Sequence, residues 1–256
     1  MLKSVNKLDG ATVRASDGDI GSVKEAFFDD QAWAIRYLVV DTGSWLSGRR
    51  VLISPYAVSR AASDGDFIDV TLTREQVRNS PDVDTHQPVS RRMEREMSRY
   101  YAYPDYWDGT AMWAMTPLPM LPMPEAALRG NESARERDEA AVPAADVHLR
   151  SSAAVTGYDI QASDESIGHV KDFIFDDESW AIRYVVVDTR NWWPGGKKVL
   201  VAHRWIDRID WSEKKVYTSL TREQVKNSPE YDETATLDRG YEQRLHDAYD
   251  RPAYWR

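Results

Sequence analysis

Short apolar runs of period two alternate with turn residues through the first seventy positions. Thr12-Val13-Arg14 runs into Asp17-Gly18-Asp19, and residues 21–28 form a second run before the turn Asp29-Asp30-Gln31. Residues 33–40, rich in aromatic and β-branched side chains, carry the strongest strand signal. Trp33 and Tyr37 fall on alternate positions of that run, which predicts core or half-buried places for them and for Trp180 and Tyr184 further on. Residues 50–53 and 67–70, with a weaker run at 57–61, bring the expectation to five or six strands. Ser63-Asp64-Gly65-Asp66 reads as a hairpin turn, because glycine accepts positive φ. The period then changes. Thr73-Arg74-Glu75-Gln76 is a capping box opening a helix that Asn79-Ser80-Pro81 stops. A second helix is expected over 89–101, ending in an aromatic, proline-broken tail.

The same pattern is written twice. Residues 15–42 and 162–189 are identical at 19 of 28 positions, at an offset of 147. After a one-residue insertion near Pro194-Gly195-Gly196 the match resumes, so that LTREQVRNSP (72–81) faces LTREQVKNSP (220–229). It extends to the tails, where Tyr101-x-x-Pro104-x-Tyr106-Trp107 faces Tyr249-x-x-Pro252-x-Tyr254-Trp255. The expected organisation is therefore a repeat over 1–107, a linker over 108–150 and a second repeat over 151–256, whose second helix falls at 236–248. Each repeat is expected to be mainly β with short C-terminal helices, a small antiparallel barrel, the two barrels related by a pseudo-two-fold axis. The linker begins rich in proline and methionine. Residues 111–124 are either a strap packed on a domain or an adhesive segment for a partner. Its second half is polar, as tethers are.

Composition narrows the chemistry. The absence of cysteine excludes disulfides, thiolate metal sites and thiol nucleophiles. A net charge of −9 opposes direct binding to nucleic-acid backbones. No stretch approaches the ~20 consecutive apolar residues of a spanning helix, and the N-terminus lacks the apolar core of a secretion signal, so a cytoplasmic protein is expected. His86, His148, His169, His203 and His246 show no ligand spacing and read as surface or turn residues, with no metal or cofactor expected. Asp29-Asp30 and Asp176-Asp177 recur in both copies and read as acidic hairpin turns ion-paired with Arg36 and Arg183. Neither a Gly-x-Ser-x-Gly elbow nor a phosphate-cradling glycine loop occurs, and no catalytic constellation is repeated, so no enzyme is expected.

Asp17 to Gly21, the acidic turn before Trp33, the run Ile35-Arg36-Tyr37-Leu38-Val39-Val40-Asp41 and Val51-Leu52-Ile53-Ser54 resemble a PRC-barrel domain. This is the small barrel of the photosynthetic reaction centre H subunit's cytoplasmic part and of the C-terminal half of a ribosome maturation factor. The resemblance spans about residues 5–85 and 153–233, and it implies a non-catalytic docking and assembly module without catalytic residues to carry over. Two departures from those proteins are expected: no N-terminal membrane helix of the H-subunit kind and no partner domain of the maturation-factor kind.

On that reading the partner is a protein, the two barrels pair within the chain, and the candidate interface residues are aromatic. Trp45, Trp192 and Trp193 lie in the loop after the strongest strand, as lids on the barrel end or as interface anchors. Tyr103, Tyr106, Trp107, Tyr254 and Trp255 in the tails are domain clasps or a recognition patch. By family analogy, the alternatives are a ribosome or RNA-processing factor, or a peripheral cap on a membrane complex of photosynthetic electron transfer.

Overall fold

The computed structural model describes residues 1–61, 66–81, 89–104, 148–192 and 194–255. The hairpin turn expected at 63–66 is described only at Asp66, and the Met/Pro segment 111–124 lies outside the described residues. The chain divides into two units. The N-unit consists of Leu8–Ser151 with Ser179–Ala181, and the C-unit of Met1–Lys7, Ser152–Glu178 and Ile182–Arg256.

The N-unit sheet comprises β2 (Thr12–Ala15), β3 (Gly18–Asp29), β4 (Ala34–Asp41), β5 (Arg50–Ile53), β6 (Val58–Ala61) and β7 (Phe67–Val70), in the order β5-β4-β3-β2-β7-β6. The C-unit repeats this plan. Its strands are β9 (Asp159–Gln161), β10 (Ser166–Asp176), β11 (Ile182–Asp188), β12 (Lys198–Ala202), β13 (Ile206–Asp210) and β14 (Lys215–Thr218), in the order β12-β11-β10-β9-β14-β13. The fold is mainly β with short helices, as the pattern predicts, but the sheets are mixed. The β6–β7 hairpin returns β7 parallel to β2, and β14 lies parallel to β9 in the same way.

Every position of β4 from Ala34 to Val40 is buried, so this strand is covered on both faces, which explains its unbroken apolar run. Trp33 does not belong to that strand. It ends the preceding turn in the left-handed region at φ 52°, and Trp180 repeats this at φ 56°. The period-two reading fails there because the turn takes one residue more than its acidic cluster suggests. Trp33 instead lays its ring 5.8 Å from that of Phe28, while Trp180, Tyr37 and Tyr184 are buried.

The long strands β3 and β10 each have a second edge that β2 or β9 covers only in part. The remainder is covered by a strand from the other copy of the repeat. β8 (Leu149–Ser151) pairs antiparallel with Phe27–Asp29 in the N-unit, and β1 (Leu2–Ser4) pairs with Ile174–Asp176 in the C-unit. Leu149 and Arg150, which composition assigns to the linker, are thus sheet residues. Leu149 enters a core cluster with Phe27, Tyr37, Val39, Leu52, Val89 and Met97.

The helices follow their capping signals. α1 (Arg74–Arg78) has the expected box: Gln76 N–H donates to Thr73 Oγ1 at 3.2 Å and Thr73 N–H donates to Gln76 Oε1 at 2.8 Å. α2 (Arg91–Tyr101) follows, then the single turn α3 (Ser152–Val155), the boxed α4 (Arg222–Asn227) and α5 (Arg239–Ala248). Among the described residues no helix is long and apolar enough to cross a membrane.

Candidate interaction surface

In the C-unit, α5 is capped by Asp238, which accepts from Tyr241 N–H at 2.7 Å. Arg239, Glu242 and His246 follow at spacings that share one helix face. Glu242 is buried, and its Oε1 accepts from Tyr184 Oη at 2.8 Å and from Tyr254 Oη at 2.9 Å. Its Oε2 lies 3.0 Å from Arg239 Nη1. His246 Nε2 is 3.1 Å from Tyr184 Oη. Burial first, and then the neighbouring Glu242 carboxylate, push the Tyr184 hydroxyl far above its ordinary value, so it stays a protonated donor.

Tyr254 and Trp255 close over this network. Arg183 lies 4.6 Å from the Tyr254 ring centroid, and Arg239 lies 4.2 Å from that of Trp255. Trp255 also meets His246 edge to face at 5.3 Å. Both residues are half-buried, so in this copy the aromatic tail is seated on its own unit.

The N-unit has the same helix position but different surroundings. Glu94 on α2 is fully buried, 3.4 Å from Arg91 Nη1 and 3.1 Å from His148 Nε2. Burial alone would lower the His148 pKa, but the hydrogen bond and charge of Glu94 raise it above the usual imidazole range. The expectation of surface or turn histidines is corrected here: His148 and His246 are both 2% exposed and belong to buried polar networks. Composition could not reveal this, because the partner glutamates lie on the second helix of each repeat, which the sequence places only by its span. One signal was available: Arg91-x-x-Glu94 and Arg239-x-x-Glu242 stand at the offset of 148 that relates the two tails.

After α2, Ala102 takes the left-handed conformation at φ 56°, and Tyr103 N–H donates back to Ser98 O at 2.8 Å. This turn places Tyr103 between Tyr101 and Tyr56, with ring centroids 5.5 and 5.4 Å away in stacked geometry. Burial pushes the Tyr101 and Tyr103 hydroxyls up to about 12. The three rings, with Arg36, Tyr37, Met97, Ser98 and Pro104 among its other walls, line a small cleft.

Trp45 packs on its own unit. Its Nε1–H donates to Ile20 O, and Arg74 of α1 lies 4.5 Å from its ring centroid. Trp192 is half-buried, and its N–H donates to Thr189 O at 3.0 Å. Trp193, Tyr106, Trp107 and His86 lie outside the described residues. Among the described residues no group of three or more histidines, aspartates or glutamates is arranged to hold a metal ion.

The paired acidic turns divide their labour. Asp29 lies 3.5 Å from Arg36, and Asp176 lies 3.8 Å from Arg183, the ion pairs the spacing suggests. The second aspartates do something else: Asp30 holds Arg150 at 2.8 Å and Asp177 holds Lys3 at 3.0 Å, each tying down the strand supplied by the other repeat.

Each copy of the repeat thus folds as a small mixed sheet followed by a pair of short helices. The PRC-barrel domain family matches residues 2–77 and 151–225, and the chain belongs to that family, carrying two copies in tandem. It is also similar to an uncharacterised protein of Deinococcus radiodurans, 34% identical over 85 residues, which are 33% of this chain and 30% of that protein. The chain thus matches less than a third of the length of that relative.

Proposed function

We propose that this chain is a non-catalytic protein-interaction module, in which two PRC-barrels present an aromatic surface to a protein partner. The observation that carries this reading is the Tyr56–Tyr103–Tyr101 stack beside its cleft. Stacked, half-buried tyrosines give large contact area with little side-chain entropy to lose, and the phenol oxygens supply polar specificity. The ionisable clusters support a scaffold role, since Glu242 and Glu94 are engaged in closed networks under their helices.

The test is affinity capture from a native lysate, with the full chain compared against Tyr103→Ala and Tyr254→Ala. A partner held by the wild type should fall at least about tenfold in the Tyr103→Ala capture, as for an aromatic interface anchor. It should be retained by Tyr254→Ala, whose ring is seated on its own unit. Equal capture by the wild type and Tyr103→Ala overturns the assignment of the tyrosine stack, and absence of any partner overturns the adaptor reading.

A further inference from the structure

Leu2-Lys3-Ser4 and Leu149-Arg150-Ser151 stand at the repeat offset of 147 and make the same contacts on equivalent edges. The Ser4 hydroxyl donates to the Asp172 carboxylate, and the Ser151 hydroxyl donates to Glu25 at the corresponding position. Lys3 pairs with Asp177 and Arg150 with Asp30. Asp177 N–H donates to the Met1 carbonyl and Asp30 N–H to the His148 carbonyl, each at 3.0 Å. Position by position, the strand is apolar, basic and hydroxyl-bearing, and the edge answers with an acid for each of the two polar positions.

We infer that the last third of β10 is a strand-docking site for an extended apolar–basic–serine segment, and that it accepts this segment from a second copy of the chain as well as from its own N-terminus. The site distinguishes its ligand by three side chains and a ladder of main-chain hydrogen bonds, none of which records the chain of origin. Both repeats already give their first strand to an edge other than their own, and exchange between two chains uses the same contacts. The Lys3 and Asp177 side chains are 15% and 19% exposed, so the charge pair is largely withdrawn from water and discriminates more than a surface pair does. The cis strand wins in the intact monomer through its effective concentration, which is on the order of millimolar for a short tether. Withdrawing it leaves unpaired main-chain groups on β10 that a strand in trans can satisfy. This inference concerns the C-unit edge and stands apart from the tyrosine stack.

The test uses the full chain lacking residues 1–4 and a fluorescent peptide of residues 1–8, standing for the N-terminus of a second copy. The truncated chain should bind this peptide, and also the peptide 148–155 from the other repeat, with affinities within about tenfold of each other. The intact chain should bind neither. Lys3→Asp in the peptide should weaken binding at least about tenfold, and Asp177→Lys in the truncated chain should restore it. Failure of the truncated chain to bind either peptide, or indifference to the charge reversal, overturns the inference. Should the truncated chain not fold, Lys3→Asp in the intact protein decides: a lowered urea midpoint that Asp177→Lys recovers supports the docking contacts, and an unchanged or unrecovered midpoint overturns them.

Discussion

Glu94 and Glu242 occupy equivalent helix positions, and each is withdrawn from water, yet the repeats satisfy them differently. In the C-unit the histidine comes from the same helix, one turn after Glu242. In the N-unit Ser98 stands at that place, and the histidine is His148, immediately before β8. A buried carboxylate is tolerable only with its acceptor capacity filled, which conserves the network's chemistry while its members change. Glu242→Ala removes the acceptor of two phenol hydroxyls and the partner of Arg239 in one change. A loss of about 3 kcal/mol is expected, with Glu242→Gln costing roughly half as much because one oxygen acceptor survives. Urea unfolding of the full chain, followed by tryptophan fluorescence, measures both. Equal costs would show that the carboxylate charge, and not the acceptor, holds Tyr184 and Tyr254.

Individual strands and helices announce themselves because their signals are local. The period-two runs, the Thr-x-x-Gln caps and the Asn-Ser-Pro stops all depend on neighbours within a few residues, and they reappear in β3, β4, α1 and their second copies. The edge a strand takes is not local. Leu2-Lys3-Ser4 and Leu149-Arg150-Ser151 are too short to show a period, so their exchange could be read only from the sheet pairings. The candidate interface aromatics divide in the same way. Their place in loops and tails was legible, but the stacking of Tyr103 between Tyr56 and Tyr101 depends on the left-handed turn at Ala102, a residue without a turn preference. Close approach of strands is likewise invisible in sequence, and Gly21 shows its weight. A Cβ there would lie 2.0 Å from Asp41 O on the neighbouring strand, whereas at Gly10 nothing stands within 4 Å. Gly10→Ala should cost about 1 kcal/mol, for its positive φ alone. Gly21→Ala must push β3 away from β4 and should cost more than ~3 kcal/mol. Thermal melts of the two variants compare them directly, and similar midpoints would mean that β3 yields at no great expense.

At the scale of the whole chain, the two units carry histidines of opposite sign, so their stabilities should respond to pH in opposite directions. In the C-unit, burial first, and then the Arg204 and Arg183 guanidinium groups, push His203 down to about 4, against the raising effect of the Arg183 and Ile182 carbonyls. A histidine held below its unfolded value of ~6.5 favours the neutral form in the folded state. Its contribution is therefore complete above about pH 6.5 and is lost as the pH falls toward 4, because the unfolded chain takes up the proton first. In the N-unit, His148 is raised by Glu94, with Asp29 adding to that effect and Arg91 opposing it. Its contribution is complete below about pH 6.5 and is lost as the pH rises through its folded value, because there the folded state holds the proton longer. Buried Asp172, raised chiefly by desolvation, also titrates in the C-unit, so wild-type curves alone mix several groups. Differences between variant and wild type isolate each histidine. The deficit of His203→Gln in urea midpoint should be largest at pH 8 and shrink by pH 5. That of His148→Gln should be smallest at pH 8 and grow as the pH falls. The crossing of these two difference curves is the signature of one unit that holds a half-buried histidine uncharged and another that has buried one with its carboxylate. Parallel curves would mean that both histidines sit in the same charge state.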